Sequence, residues 1–318
     1  MTKPSAPRLT EAPGAVQKAK TPTIRSGWFR KARLPYLMVL PAVLITLVLV
    51  VYPLVLSVVN SFRVDNILEP TSHQFVGLAN YTHVLSDPAF QQAARNSLVY
   101  FLFGSAVIFV ASLAIAMWLH NITHRWRALF LVFVMLPWAV PGVVTGLMWL
   151  FIYNPTTSGL LNVVLLDLHL IHHSILWLTH PGWNLILISV ALVWQTLPLT
   201  SVIMLAGIES IPPELYEAAK VDGSRPWHAF SHITLPLIRP ALAIAMVQAG
   251  VLTIGVFDQV YVLTGYDPST KSSIIQTYLY AFQNLNLGQG ISAAMIVTIG
   301  VTIVGVLYLR GIYREVSF

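Results

Sequence analysis

The chain has 318 residues, of which 56% are hydrophobic and only 9% charged, with a formal net charge of +6 and no cysteine. An average soluble domain carries roughly 25% charged residues, so this chain cannot coat itself with polar surface and its composition places it in lipid. The missing cysteines exclude a disulfide framework and a thiolate metal site. The positive balance is not a nucleic-acid signature, because the basic residues are placed by topology.

Residues 1–33 form a Pro/Ala/Lys-rich basic tail that lacks the cleavage pattern of a signal peptide. Its early part is poor in bulky apolar residues and reads as disordered, while Lys18 to Arg33 suits anionic lipid headgroups. Six apolar stretches near or above the ~20 residues needed to cross a bilayer then follow. They are Leu34–Val59, Ser97–Leu119, Ala128–Phe151, Asn184–Ile208, Ala241–Leu263 and Ile291–Arg310. The expected fold is an all-α, polytopic, six-span membrane domain over 34–318, with a polar insert at 209–240.

Lysine and arginine fix the orientation. Of the 18 in the chain, fifteen fall in the tail, 120–127, 209–240 and the segment from Arg310 on; only Arg63, Arg95 and Lys271 fall on the other side. Both termini and the 209–240 insert are therefore expected in the cytoplasm.

The insert reads as a short amphipathic helix. Pro212 and Pro213 suit its start, and Glu214 and Glu217 lie near its positive dipole end. Leu215, Ala218, Ala219 and Asp222 share one side at i, i+3, i+4 and i+7, and Gly223 supplies a left-handed stop. Ser224 is expected to cap a second short helix through Trp227 and Phe230.

The run from Glu217 to Pro240, with Glu217, Ala218, Ala219, Asp222, Gly223, Phe230, Leu235, Pro236 and Pro240 at matching spacing, resembles the EAA loop of the membrane permeases of binding-protein-dependent ABC importers. Three further segments resemble the sugar-uptake branch of that family, of the maltose- or glycerol-phosphate-transporter type. These are Tyr52-Pro53-Leu54 with Ser57, Phe62 and Phe75 to Tyr81; Leu136-Pro137 through Trp149 and Asn162; and Tyr261 to Gly265 followed by Tyr278 to Ala294. Gly265 is followed by Tyr266-Asp267-Pro268, where the family commonly has further glycines.

The resemblance implies a coupling loop (Glu214, Glu217, Ala218, Ala219, Asp222, Gly223) that docks on a cytoplasmic ATPase. It also implies a heterodimer with a second, homologous permease, two ATPase subunits that carry ATP and Mg, and an extracytoplasmic solute-binding protein. The implied location is the bacterial or archaeal cytoplasmic membrane.

The chain itself has no G-x-x-x-x-G-K-[ST] loop, no H-E-x-x-H and no G-x-S-x-G, so no catalytic residues are assigned and no cofactor is expected on it. A solute path needs polar groups at membrane depth. The fifth stretch offers Gln248, Gly255, Asp258 and Gln259, with Gln248, Leu252, Gly255 and Gln259 on one helical face. Asp258 has two readings: a costly intramembrane carboxylate facing water or a partner, or a solvated interfacial one. The fourth stretch offers Trp194 and Gln195, where Pro198 frees the Trp194 carbonyl; this suits either a sugar pocket or helix packing. Pro137 and Pro141 could loosen the third stretch, and Trp149 and Trp183 read as interface-belt aromatics. His169, His172, His173 and His180 lack repeated ligand spacing, and no metal site is assigned to them.

The function read from this is import of a sugar, oligosaccharide or polyol derivative. The alternatives are an ABC permease for another solute, an ion-coupled secondary transporter, and a membrane-bound enzyme using the histidine loop.

Overall fold

The computed structural model describes residues 28–64, 74–180 and 182–312. Most of the basic tail, residues 65–73 and the segment after Ile312 lie outside them, so much of the charge count that oriented the chain does too. Among the described residues every regular element is a helix, and the one β pairing is an isolated bridge between Arg63 and Phe75.

Two compact units are distinguished, with the division between Val55 and Leu56. The first contains α1 (Trp28–Thr46), a π-helical turn (Leu47–Val51) and the start of α2 (Tyr52–Ser61). Residues Tyr36–Ser61 are long and apolar enough to cross a membrane.

The second unit holds α3 (Ala79–Ser86), α4 (Pro88–Asn121), α5 (His124–Ala139), α6 (Gly142–Ile152), α7 (Leu160–Asp167) and α8 (Asn184–Glu209). The polar insert follows as α9 (Pro213–Val221), α10 (Pro226–Ala229), a π turn (Phe230–Thr234) and α11 (Leu235–Leu237). Then come α12 (Arg239–Ile254), α13 (Asp258–Thr264), α14 (Ser273–Tyr278), a π turn (Leu279–Gln283) and α15 (Leu287–Ile312). Helix α4, the α8 helix, the α12–α13 pair and α15 are each long and apolar enough to span a bilayer.

The third expected stretch, 128–151, is not one straight helix. It is α5 and α6, bent by 94°. Pro141 forces the residue before it into extended backbone, and Val140 indeed has φ −80° and ψ 127°. The fifth stretch is also interrupted: α12 ends at Gly255, and Phe257, with φ −124° and ψ −62°, precedes α13. By contrast α8 runs unbroken through the buried Pro198.

Helices α4 and α8 pack around two apolar clusters at opposite ends, joined by α12 at the first and by α13 and α14 at the second. One contains Leu119, Met204, Ile208, Ile238 and Leu242, beside the 209–240 insert. The other contains Tyr100, Ile188, Leu192, Val260 and Ile275. Small residues and self-bonded hydroxyls let the helices approach: Ser112 and Thr200 are fully buried, and Thr200 Oγ1 donates to the Thr196 carbonyl at 3.1 Å.

Side chains tie the far end together. Asn80 donates to the carbonyls of Ser61 (2.9 Å) and Arg63 (2.8 Å), which folds the 75–81 segment against the end of α2. Asn162, fully buried, holds the histidine-rich loop: its amide donates to the carbonyls of Asn154, Thr156 and Ile175, and its oxygen accepts from Ile175 N and Trp177 Nε1. The turn after α13 needs Gly265 at φ +64°. With Asp267 and Pro268 in place of further glycines, that turn is braced by Asn96 on the carbonyls of Pro268 and Lys271 and by Tyr100 on Thr270. Lys271 is buried there, and desolvation lowers its pKa against the opposing pull of Asp87.

Candidate solute site and coupling loop

The two helix breaks converge on one cavity of about 320 Å³. Trp138 and Gly142 line it from the α5–α6 bend, and Gly255, Val256, Phe257, Asp258 and Gln259 from the α12–α13 break. Helix α8 closes it with Leu192, Gln195 and Thr196, and α12 adds Leu252. Broken membrane helices expose backbone groups that an intact helix would consume, so they recur where transporters hold solutes. Here the freed groups are partly used. Gln195 Nε2 donates to the Val140 carbonyl at 2.6 Å, and Gln259 Nε2 donates to Gln195 Oε1. Ser272 Oγ donates to the Val256 carbonyl at 2.6 Å from outside the break. The result is an ordered amide chain, Gln259 to Gln195 to Val140, along the cavity wall.

Asp258 is half-buried on that wall, in the first turn of α13, where a carboxylate is favoured by the helix dipole. It fills the space left by Gly142: a Cβ there would meet Asp258 Cβ at 2.9 Å and collide with the carboxylate. Gly142→Ala should therefore displace Asp258 at a cost of about 1–3 kcal/mol. The expected result is slower uptake by a complex that still copurifies; unchanged uptake would mean the carboxylate position is immaterial.

Four of the six path residues expected from sequence thus meet: Gln195, Gly255, Asp258 and Gln259. Gln248 does not line the cavity: of the expected stripe Gln248, Leu252, Gly255 and Gln259, the last three do, and Gln248 lies one turn before Leu252 in α12. Trp194 is half-buried and packs edge-on to Trp149, with centroids 6.2 Å apart, away from the cavity lining. Sequence reasoning missed Trp138 and Phe257. The signal for Trp138 was its place between Pro137 and Pro141.

In the insert, α9 ends in a full Schellman motif. Ser224 N donates to the Ala219 carbonyl (2.8 Å) and Gly223 N to the Lys220 carbonyl (3.1 Å), with Gly223 at φ +73°. Ser224 does not cap the second helix: Arg225 precedes Pro226, no side chain caps it, and Ser224 Oγ is buried without a partner. The expected one-sided face of α9 is divided. Ala219 turns inward and, with Tyr216, lines a second cavity of about 410 Å³, whereas Glu214, Leu215, Glu217, Ala218 and Asp222 are exposed. Tyr216 Oη bonds Thr234 Oγ1 at 2.9 Å, joining the two halves of the insert. An Arg127–Glu209 ion pair ties α5 to the last residue of α8 just before it. Val221 (88% exposed) and Trp227 (75%), the latter touching Phe230 with centroids 5.3 Å apart, are the most exposed large apolar side chains of the loop.

No group of three or more His, Asp or Glu side chains suited to a metal ion occurs among the described residues.

A multi-pass helical bundle with a cavity at two broken helices and a braced polar insert defines a membrane transport subunit. Residues 109–316 match the family described as the binding-protein-dependent transport system inner membrane component, and the chain belongs to it. It is thus the permease subunit of an ABC importer and not an enzyme; hydrolysis of ATP falls to a separate subunit.

Over 290 residues it is 34% identical to the trehalose/maltose transport system permease protein MalF of Thermococcus litoralis, covering 91% of this chain and 95% of that one. It is 28% identical over 278 residues to the trehalose transport system permease protein SugA of Mycobacterium tuberculosis, covering 87% and 88%. It is also 28% identical over 310 residues to the arabinooligosaccharides transport system permease protein AraP of Bacillus subtilis, covering 95% and 97%. A bacterial ABC transporter involved in the import of the acidic polysaccharide alginate shares the fold, with TM-score 0.76, 21% identity, and 89% and 96% of the two chains covered.

Proposed function

We propose that the cavity at the two helix breaks is this chain's share of an import path for a sugar, oligosaccharide or polyol derivative. The observation that carries this reading is the amide chain Gln259–Gln195–Val140 beside Trp138 and Phe257. Amides at membrane depth match hydroxyls, aromatic faces match the C–H faces of sugar rings, and a single carboxylate completes the wall. The relatives named for trehalose, maltose and arabinooligosaccharides point the same way. An ion-coupled transporter would want a relay of ionisable groups, and among the described residues Asp258 is the one ionisable side chain on the wall.

In this reading both termini and the 209–240 insert are cytoplasmic. The chain pairs with a second, homologous permease; two ATPase subunits bind ATP and Mg; and an extracytoplasmic solute-binding protein delivers the solute. Binding of ATP closes the ATPase pair, the movement passes through 214–223, and the cavity turns outward to be loaded. Copurification of this chain with an ATPase and a second permease, with ATP-dependent sugar uptake by proteoliposomes, tests the reading. A lone chain that transports on its own would overturn it.

Exposed Glu217 on α9 suits a basic residue of the ATPase. Removing one member of such an interfacial pair costs about 2–5 kcal/mol. Glu217→Ala should release ATPase on size exclusion while the permease still reaches the membrane. Full retention with full transport would take Glu217 out of the interface.

A further inference from the structure

Five aromatic rings form a continuous run that begins in the cavity and ends on the surface. Phe257, on the cavity wall, stacks on Tyr261 with centroids 5.7 Å apart and planes 17° apart, and meets Tyr278 edge-on at 5.6 Å. Tyr261 packs on Tyr266 at 5.4 Å, and Tyr266 lies parallel to Tyr278 at 6.5 Å and 15°. Tyr278 then passes the run to Phe282 at 5.0 Å. Exposure ends it: Tyr261 is 44% exposed, Tyr278 36% and Phe282 61%. The rings come from three separate segments, namely the α12–α13 break with α13, the Gly265 turn and the α14–π-turn segment. Aromatics that merely mark a membrane interface need only reach headgroup depth one by one. These rings instead contact one another, and one of them opens into the cavity.

We propose that this run is a stacking subsite for the trailing rings of an oligosaccharide whose leading ring occupies the cavity. The inference rests on the sugar reading given above and narrows it to a solute of at least two rings. A pyranose or furanose presents C–H groups on its faces, and the negative face of an aromatic ring attracts them. The phenol groups of Tyr261, Tyr266 and Tyr278 sit at ring edges, where equatorial hydroxyls of a stacked sugar emerge. A cavity of about 320 Å³ lies at the lower limit of small-molecule sites, so a longer chain must extend beyond it. Phe257 is the shared member that makes the extension continuous.

The test uses the assembled importer in proteoliposomes and a panel of labelled glucose and arabinose, their di-, tri- and tetrasaccharides, and trehalose. Wild-type protein is expected to take up members of two or more rings and to discriminate against the monosaccharides. Tyr278→Leu and Phe282→Leu should each raise the half-saturating concentration of the longer members roughly three- to tenfold, with a smaller effect on the shortest one carried. Tyr278→Phe keeps the ring and should keep the wild-type length profile, which separates stacking from damage to the fold.

Uptake of no member of the panel by a complex that hydrolyses ATP would remove the sugar reading and the subsite with it. Uptake of monosaccharides alone, or the same loss at every length in the Leu variants with Tyr278→Phe unaffected, would remove the subsite and leave the sugar reading standing.

Discussion

Gly223→Val is expected to uncouple the importer: the ATPase stays bound, but solute no longer stimulates ATP hydrolysis. The reason is conformational and not steric. A Cβ at Gly223 would meet no atom within 4 Å, so there is room for a side chain. The backbone, however, sits at φ +73°, where an L-residue costs about 1–2 kcal/mol and a β-branched one more. Relaxing that angle breaks the two closing bonds, Ser224 to Ala219 and Gly223 to Lys220, and turns α10 relative to α9. Exposed Val221 and Trp227 flank the cap, so their relative placement changes with it.

The substitutions should therefore grade by left-handed tolerance and not by size. Gly223→Asn should be mild, Gly223→Ala intermediate and Gly223→Val severe. Solute-stimulated ATPase activity of reconstituted complex is the measurement, and an equal effect of all three would place the hinge of the loop elsewhere.

The cap was legible because it is local: a helix end, a glycine and the following residue are fixed by a few consecutive positions. The presence of helices long and apolar enough to cross a membrane was legible for the same reason, since apolar length is read along the chain. Ser224 was misjudged as a cap because Pro226 reset the start of α10 by one residue, leaving its hydroxyl buried and unpaired. The site was only half legible. Pro137 and Pro141 announced a weak point, but a 94° bend and an extended Val140 depend on what the neighbouring helices supply. Here the supply is Gln195, which takes the Val140 carbonyl from 55 residues away. The break at Gly255–Phe257 carries no proline at all. It is held by Ser272 on the Val256 carbonyl, a long-range contact that no window along the sequence contains. Convergence of the two breaks is thus a property of packing, and the cavity they form reaches down α12 to Leu252 and not to Gln248.

That exclusion makes the two glutamines separable. Gln259→Leu is expected to cut transport sharply, and Gln248→Leu to leave it near wild type. Gln259 is 5% exposed and donates to Gln195 Oε1, which in turn fixes Gln195 on Val140. Leucine has a similar volume but no donor. It strands the Gln195 oxygen in a half-buried site, and an unpaired buried acceptor costs about 1–3 kcal/mol. Gln195 is then free to turn from the Val140 carbonyl, so one substitution removes an amide from the wall and unfastens a second. Gln248 lies one break away and outside the cavity, so its loss touches neither group. The measurement is uptake against solute concentration in proteoliposomes, with ATP hydrolysis followed in parallel. Gln259→Leu should raise the half-saturating concentration while basal hydrolysis and assembly persist. Equal effects of the two substitutions would restore a continuous α12 stripe as the solute-facing surface and take the path away from the helix breaks.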